Sequence, residues 1–250
     1  MIHLKSPEEI RIMAEGGAIL NKVVSELMPM VRPGITTQYI DDKAQELIRK
    51  HGGDISFNKV PGYRWATCLP VNEQVVHTPP SKRVLKEGDV LTVDIGVYHK
   101  GFHTDYADTV VVGGTKDQKV LTFLEVGKKA LDRAIEKVMN GKHLGEISES
   151  IEHDIYGNGY HILRELTGHG VGRDLHEDPF VPGFVDRPVE KTYKMRPGLV
   201  IAVEIIYSMG TEDIAYERGN DWSITSKDLS LTACFEKTVA ITTENTCILT

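Results

Sequence analysis

The sequence predicts an α+β fold made of two pseudo-symmetric halves, and three observations predict it. Helical periodicity occurs in two pairs of segments: about Pro7 to Met30 with Thr36 to His51, and Lys119 to Met139 with Ile147 to Gly157. Strand-like patterns fill Thr67 to Val76, Val90 to Val97, Ala107 to Val112, Gly168 to Gly172, Val200 to Tyr207 and Leu231 to Ile241. A weak repeat joins the halves. Gly34, Ile40 and Gly52 recur as Gly141, Ile147 and Gly159, and EGDVLTVDIGVY (Glu87 to Tyr98) overlays PGLVIAVEIIYS (Pro197 to Ser208), setting Asp94 over Glu204. No Ser/Gly linker or low-complexity tract divides the chain, so one domain over 1–250 is expected, with halves of about 1–115 and 116–250.

The first helix has a readable start. Ser6 can cap it, Pro7 takes the first helical position, and Glu9 falls three residues after Ser6, as a capping box requires. This opening lacks the basic start, unbroken apolar run and small-residue cleavage site of a secretory signal. With 250 residues, 40% apolar and 26% charged, the chain has the composition of an ordinary globular protein. Its net charge of −7 argues against non-specific nucleic-acid binding, and no apolar run reaches the roughly 20 residues that span a bilayer. Cys68, Cys234 and Cys247 form neither an even set nor a C-x-x-C pair, which points to free thiols in a reducing compartment, the cytoplasm.

The next element poses the central question. In VDIGVYHKGFHTDYADTV, Val93 to Val110, a hairpin with its turn at His99 to Gly101 contains two aspartates, Asp94 and Asp105. A two-residue loop at His99-Lys100 would set them directly opposite one another, and a three-residue loop would shift them by one. Like charges facing across a sheet destabilise it, and a half-buried carboxylate shifts its pKa or finds a cation. Either aspartate alone could point to solvent or cap the turn. Both together are better explained by a bound metal.

Later strands repeat the anomaly. Glu204 sits in Leu-Val-Ile-Ala-Val-Glu-Ile-Ile, a run that reads as a strand buried on both faces. Glu236 alternates with Phe235, Val239 and Ile241; taken alone it would be assigned to solvent. Between the halves, GHGVGRDLHEDP (Gly168 to Pro179) flanks His169 with glycines that let a ligand or another backbone come close. His176 does not share a strand face with His169 by simple counting but could reach the same cavity across a turn. Asp94, Asp105, His169, Glu204 and Glu236 therefore form a candidate set. Four such carboxylates in one cavity would need about two divalent cations. An oxygen-rich set without thiolates favours manganese or iron(II), with cobalt and zinc also compatible. A hydroxide bridging such a pair would be a nucleophile near neutral pH, so the implied chemistry is hydrolysis.

Over nearly its whole length the chain resembles the type I methionine aminopeptidases, members of the "pita-bread" metallohydrolases. The segments that carry the resemblance are VNEQVVH (Val71 to His77), VDIGVYHKGFHTD, GHGVGRDLHEDP, the strand ending AVE (Ala202 to Glu204), DWSITSKDLSLTACFE (Asp221 to Glu236) and the terminal ILT. The resemblance implies a curved antiparallel sheet in two pseudo-twofold halves flanked by helices. It also implies that Asp94 chelates one metal, that His169 and Glu204 hold the other, and that Asp105 and Glu236 bridge. His77 and His176 would contact the scissile peptide, Glu204 would shuttle a proton, and His103 would only support. Cys68, Trp222 and Leu175 would line the pocket for the methionine side chain. The substrate would be the N-terminus of a nascent protein, met near the ribosome, and a monomer is expected. The short spacings from His169 to Glu204 and from Glu204 to Glu236 leave no room for the insertion of the type II branch. X-Pro peptidases and non-catalytic binding modules of the same fold are the alternatives. The chain departs from the family at three places. Ile205 replaces the proline that usually follows the glutamate, Leu175 replaces an aromatic residue, and SFNKVPGYRWATC (Ser56 to Cys68) replaces a Tyr-x-Gly-Phe-Pro tract. The hydrolytic chemistry is thus carried further than selectivity for methionine.

Overall fold

The computed structural model describes all of residues 1–250. In chain order it contains α1 (Pro7–Leu27), with a short 3-10 turn after it, and α2 (Thr37–Lys50). Five strands follow: β1 (Asp54–Ile55), β2 (Thr67–Cys68), β3 (Gln74–Val76), β4 (Val90–His99) and β5 (Phe102–Val111). After α3 (Gln118–Glu136) and α4 (Gly145–Gly157) come β6 (His161–Ile162), β7 (Thr167–Gly170), β8 (Glu177–Pro182) and β9 (Val200–Ser208). The chain closes with β10 (Ile214–Tyr216), β11 (Ile224–Ser226), β12 (Thr232–Ile241) and β13 (Thr246–Ile248).

The predicted capping box of α1 is present: the Ser6 hydroxyl accepts from Glu9 N at 3.2 Å, and the Glu9 carboxylate accepts from Ser6 N at 2.8 Å. The expected strand over Thr67 to Val76 is instead two short ones. Pro70 supplies no amide proton, and Asn72 turns the chain through φ 61°, so β2 and β3 go to different sheets. Strands β1, β6, β8, β10, β11 and β13 are additions to the sequence reading, most of them too short to show an alternating pattern.

The main sheet runs β1-β4-β5-β12-β9-β7-β8, with β2 added on β4, β6 on β9 and β13 on β12. All its pairings are antiparallel. Alternation sorts its two faces. Val93, Ile95 and Val97 of β4 join the α1–α2 core around Leu20, Leu27, Ile40 and Ile48. Val203, Ile205 and Tyr207 of β9, with Phe235 and Val239 of β12, join the α3–α4 core around Phe123, Leu131, Ile147 and Ile151. Residues between these, Asp94, Glu204 and Glu236 among them, face the other way. Ile205 thus belongs to the helix-side core, fully buried, and its amide leaves the nine-pair register of β9 with β12 unbroken.

The hairpin register differs from the expected one. The turn is Lys100-Gly101, at φ 47° and 93°, and His99 pairs with Phe102. Two successive positive φ angles are what a tight hairpin with right-twisted strands requires. Asp94 consequently faces Ala107, and Asp105 faces Gly96. The aspartates lie diagonally on one face, two residues apart in register, and no longer confront each other.

The halves meet at β5 and β12, where only Ala107–Glu236 and Tyr106–Lys237 pair as backbone. On either side of that pair a threonine completes the seam. Thr238 Oγ1 accepts from Asp105 N and donates to Asp105 O, both at 2.9 Å. Thr109 Oγ1 accepts from Cys234 N at 3.0 Å and donates to Cys234 O at 2.7 Å. The two bridges are related by a twofold axis through the Ala107–Glu236 pair, the same operation that sets Asp94 over Glu204. The Thr238→Val variant would leave Asp105 N without a partner in the buried seam. It should lose about 2 kcal/mol in urea denaturation, with the far-UV spectrum of the folded state unchanged.

Candidate active site

Register places the candidate residues before any side chain is considered. Reading across the sheet, Cys68 pairs with Asp94, Asp94 with Ala107, Ala107 with Glu236, and Glu236 with Glu204. The adjacent row on the same face runs from Gly96 and Asp105, through the Thr238 bridge, to Ala202 and His169. All five candidate positions thus fall in two neighbouring rows on one face. They line one cavity, with about 980 Å³ of empty space, together with His77 and His176. Glu236 is only 2% exposed, so its assignment to solvent on periodicity alone is overturned. The face opposite Phe235 is the floor of the cavity.

The loops complete the cavity. Gly168 and Gly170 flank His169 because backbone closes on both: an added Cβ would lie 2.5 Å from Ala202 O at the first and 2.3 Å from Asp178 O at the second. They admit neighbouring strands to either side of His169. Its Nδ1 lies 2.9 Å from Gly170 O; a carbonyl can only accept, so Nδ1 carries the proton and Nε2 keeps its lone pair. The rings of His169 and His176 are 4.4 Å apart, edge to face. His77 follows β3 at φ 57°, a left-handed conformation uncommon for a residue with a side chain, and this bend brings its ring into the cavity. His103 is buried on the same face of β5 as Asp105, its Nδ1 2.7 Å from Ser56 Oγ, and does not line the cavity.

A buried ion pair holds the loop that ends in His176. Lys5 Nζ and Glu177 Oε2 are 2.6 Å apart, with side chains 4% and 7% exposed. The other oxygen of Glu177 accepts from the amides of Arg173 and Asp174, so the N-terminal segment and the loop are tied together one residue from His176.

An apolar recess opens beside the charged floor. Cys68 and Leu175 pack there with Phe57 and Tyr63, and Val60, Trp65 and Trp222 pack against them. The Tyr63 ring stands edge-on to Trp222 at 5.1 Å, and its hydroxyl donates to Thr67 O. The three pocket residues taken from the sequence are therefore joined by Phe57, Val60 and Tyr63, which sequence reasoning missed. Their signal was the aromatic content of Ser56 to Cys68, but Phe57 lies in a single 3-10 turn and Val60 and Tyr63 in a loop, where no period says which side chain turns inward.

Electrostatics single out this floor. Burial pushes the Asp105 carboxyl up to about 7 and Glu204 up to about 8, and the charge of Asp105 adds to the effect on Glu204. Asp94 and Glu236 are driven well above the usual carboxylate range by burial first and by the neighbouring carboxylates second. Burial also depresses His77 to about 4 and His169 to about 3, with nearby His176 contributing, so both imidazoles are neutral at pH 7. No lysine or arginine lines the cavity. Cys234 Sγ donates to Glu204 Oε1 at 3.2 Å, a weak compensation, and Glu236 Oε1 is buried with no hydrogen-bond partner. Asp105, His169 and Glu236 each offer a ligand atom within 4.8 Å of the others. An orphaned carboxylate oxygen, a neutral imidazole with a free lone pair and a carboxylate-rich wall without a cation fit a divalent metal site.

Comparison with known proteins agrees with this geometry. The model of metallopeptidase family M24 matches residues 11–249. Methionine aminopeptidase 1 of Bacillus subtilis is 37% identical over 250 residues, covering 100% of this chain and 99% of that protein. The methionine aminopeptidase of Aquifex aeolicus is 38% identical over 257 residues, covering 100% and 98%. The crystal structure of methionine aminopeptidase from Thermotoga maritima superposes with a TM-score of 0.94 at 34% identity, covering 100% of this chain and 99% of that one. Prolidase from Pyrococcus furiosus shares the fold at a TM-score of 0.76 and 21% identity, covering 98% of this chain and 64% of its own.

The site predicts how the metal-free protein responds to pH. Carboxyls whose pKa rises on folding favour the folded state while protonated, and that contribution disappears as pH rises through about 7 for Asp105 and about 8 for Glu204. The depressed histidines act oppositely, costing stability as pH falls below about 6.5. Above that pH only the carboxylate effect operates. Metal-stripped protein should therefore lose on the order of 2 kcal/mol between pH 6.5 and 8.5. Glu236→Gln should flatten the loss, as followed by chemical denaturation at each pH.

Proposed function

The chain belongs to the methionine aminopeptidases of metallopeptidase family M24, and on that premise we propose that this cavity removes the N-terminal methionine from newly made proteins by hydrolysis. One observation carries the reading: the acidic wall and the apolar recess share one cavity, so an amino-terminal residue with an unbranched apolar side chain can enter beside the metal site. Asp94 would hold one divalent ion, His169 and Glu204 a second, and Asp105 and Glu236 would be shared between them. Metal bound there supplies Lewis-acid activation of water and of the peptide carbonyl and an anchor for the substrate's free amino group.

The remaining steps belong to the chain's own residues. Neutral His176 donates from its imidazole N–H to the oxygen of the scissile carbonyl, where negative charge develops. His77, equally neutral, contacts the amide nitrogen that becomes the leaving amine. Glu204, ionised when a divalent cation offsets the charge of the wall, accepts a proton from the attacking water and returns it to that amine. The methionine thioether packs among Cys68, Trp222, Tyr63 and Leu175; thioether against aromatic edges is a favourable contact. Leu175 and Val60 make this wall aliphatic, which suits the flexible methionine chain.

The donor set, oxygen with one nitrogen, favours manganese or iron(II), with cobalt and zinc as substitutes. No helix is long and apolar enough to cross a membrane, and Cys68, Cys234 and Cys247 are free. The setting proposed is the cytoplasm, on nascent chains close to the ribosome. The similarity to methionine aminopeptidases extends over the full length, whereas the prolidase likeness is one of fold.

Protein stripped of metal should not hydrolyse Met-Ala-Ser, and addition of manganese, iron(II) or cobalt should restore turnover; X-Pro peptides should remain uncut. Cleavage of X-Pro without cleavage of the methionine peptide would overturn the reading. His169→Ala should lower kcat/KM by roughly a hundredfold or more while the circular dichroism spectrum stays native. A fully active variant would remove His169 from the site.

A further inference from the structure

A second hollow, with about 1490 Å³ of empty space, adjoins the cavity and shares Glu165, Thr167 and Phe180 with it. Register shows why the two are continuous. In the β7–β8 hairpin His169 faces Phe180, and Thr167 faces Pro182, so these four side chains lie on one face. His169 belongs to the cavity, Thr167 and Phe180 to both hollows, and Pro182 to the outer one. One strip of sheet thus runs from the reacting centre to the outside. Its farther wall includes Leu144, Ser148, Tyr193 and Lys191.

Two features of the shared rim have no role in the site already described. Phe180 is 66% exposed, although it faces His169. An uncovered aromatic ring beside a catalytic centre is a ready platform for an extended chain. Glu165, also exposed on the rim, makes no ion pair, whereas Asp178, which lines the outer hollow, is engaged by the amino group of Met1 and Asp186 is paired with Arg187.

We propose that this groove binds the substrate polypeptide downstream of the scissile bond, with Phe180 packing against its third and following residues and Glu165 favouring a lysine or arginine there. The inference rests on the aminopeptidase reading, because it needs the amino terminus to be held at the acidic wall. A chain entering N-terminus first must leave the cavity by an opening, and a path continuous with the strand that carries His169 passes over Thr167 and Phe180. An extended peptide can also use the hairpin face without disturbing the core, since the floor of the groove is preformed sheet. Glu165 gives the inner rim, shared by both hollows, a negative charge that attracts a basic side chain there, whereas the unpaired Lys191 lines only the outer hollow; salt weakens the attraction because the carboxylate is exposed.

The test compares kcat/KM of the manganese-loaded full chain on Met-Ala-Ser, Met-Ala-Ser-Lys-Ala-Ala and Met-Ala-Ser-Glu-Ala-Ala. The lysine hexapeptide should exceed the tripeptide by roughly fivefold, the value of burying about half a phenylalanine face. Phe180→Ala should bring that ratio close to one, and Glu165→Lys should reverse the preference between the lysine and glutamate hexapeptides. Equal rates for all three peptides, or a length ratio that survives Phe180→Ala, would overturn the groove while leaving the aminopeptidase reading intact. Failure to cleave any of them would sink that reading and the groove with it.

Discussion

Four carboxylates gathered in one cavity, Asp105 and Glu236 buried and Asp94 and Glu204 half-buried, with no cationic side chain among them, are the constraint from which the rest of this molecule follows. Removing one ionised carboxylate from water costs several kcal/mol, and each further one adds its repulsion. Without a counter-charge the floor can persist only by taking up protons, which is what the upward displacement of Asp94, Asp105, Glu204 and Glu236 expresses. A sheet is a suitable frame for such a load. Its hydrogen bonds hold the carboxylates in place while the opposite face, packed on the helices, provides the stability that they consume.

The twofold relation between the halves explains how two unrelated-looking acidic strands come to share a site. Each half places a long hairpin-like strand pair under a pair of helices, α1 and α2 over β4 and β5, α3 and α4 over β9 and β12. The seam between them has few backbone pairs of its own, and the hydroxyls of Thr109 and Thr238 make up the difference. Because the axis passes through Ala107 and Glu236, carboxylates on β4 and β9 are brought to equal distances on either side. Departures from symmetry are then as informative as symmetry itself. His169 arrives on β7, whose counterpart in the first half is the stretch at Pro70-Val71 beside Leu91 and Thr92; proline there offers no ligand atom, so one end of the site is nitrogen-bearing while the other is all oxygen.

The apolar recess is built by a different part of the chain. Residues Phe57 to Cys68 form no long strand or helix, yet they enclose the recess through Phe57, Val60, Tyr63 and Cys68. Asp41 of α2 fixes their far end, its Oδ1 accepting from Ala66 N, Thr67 N and Thr67 Oγ1. A loop secured in this manner can change its side chains without disturbing the metal-binding rows. The replacement of the family's tract in Ser56 to Cys68 is compatible with an intact acidic floor for this reason.

Alternation of apolar and acidic residues was enough to identify Asp94, Glu204 and Asp105 as misplaced in strands, and the glycines around His169 marked a place of close approach. Four helices and the long strands were legible for the same reason, since burial of one face imposes a period on the sequence. Where the period is local, the sequence by itself determined the outcome. Only the tertiary structure decided which residue sits opposite which: the Lys100-Gly101 turn moved Asp105 diagonal to Asp94, and pairing with Glu204 turned Glu236 from an apparent solvent residue into the middle of the floor. It also decided the loop contributions of Phe57, Tyr63 and Phe180. Register and loop closure depend on contacts between segments far apart in the chain, and no pattern within a single segment encodes them.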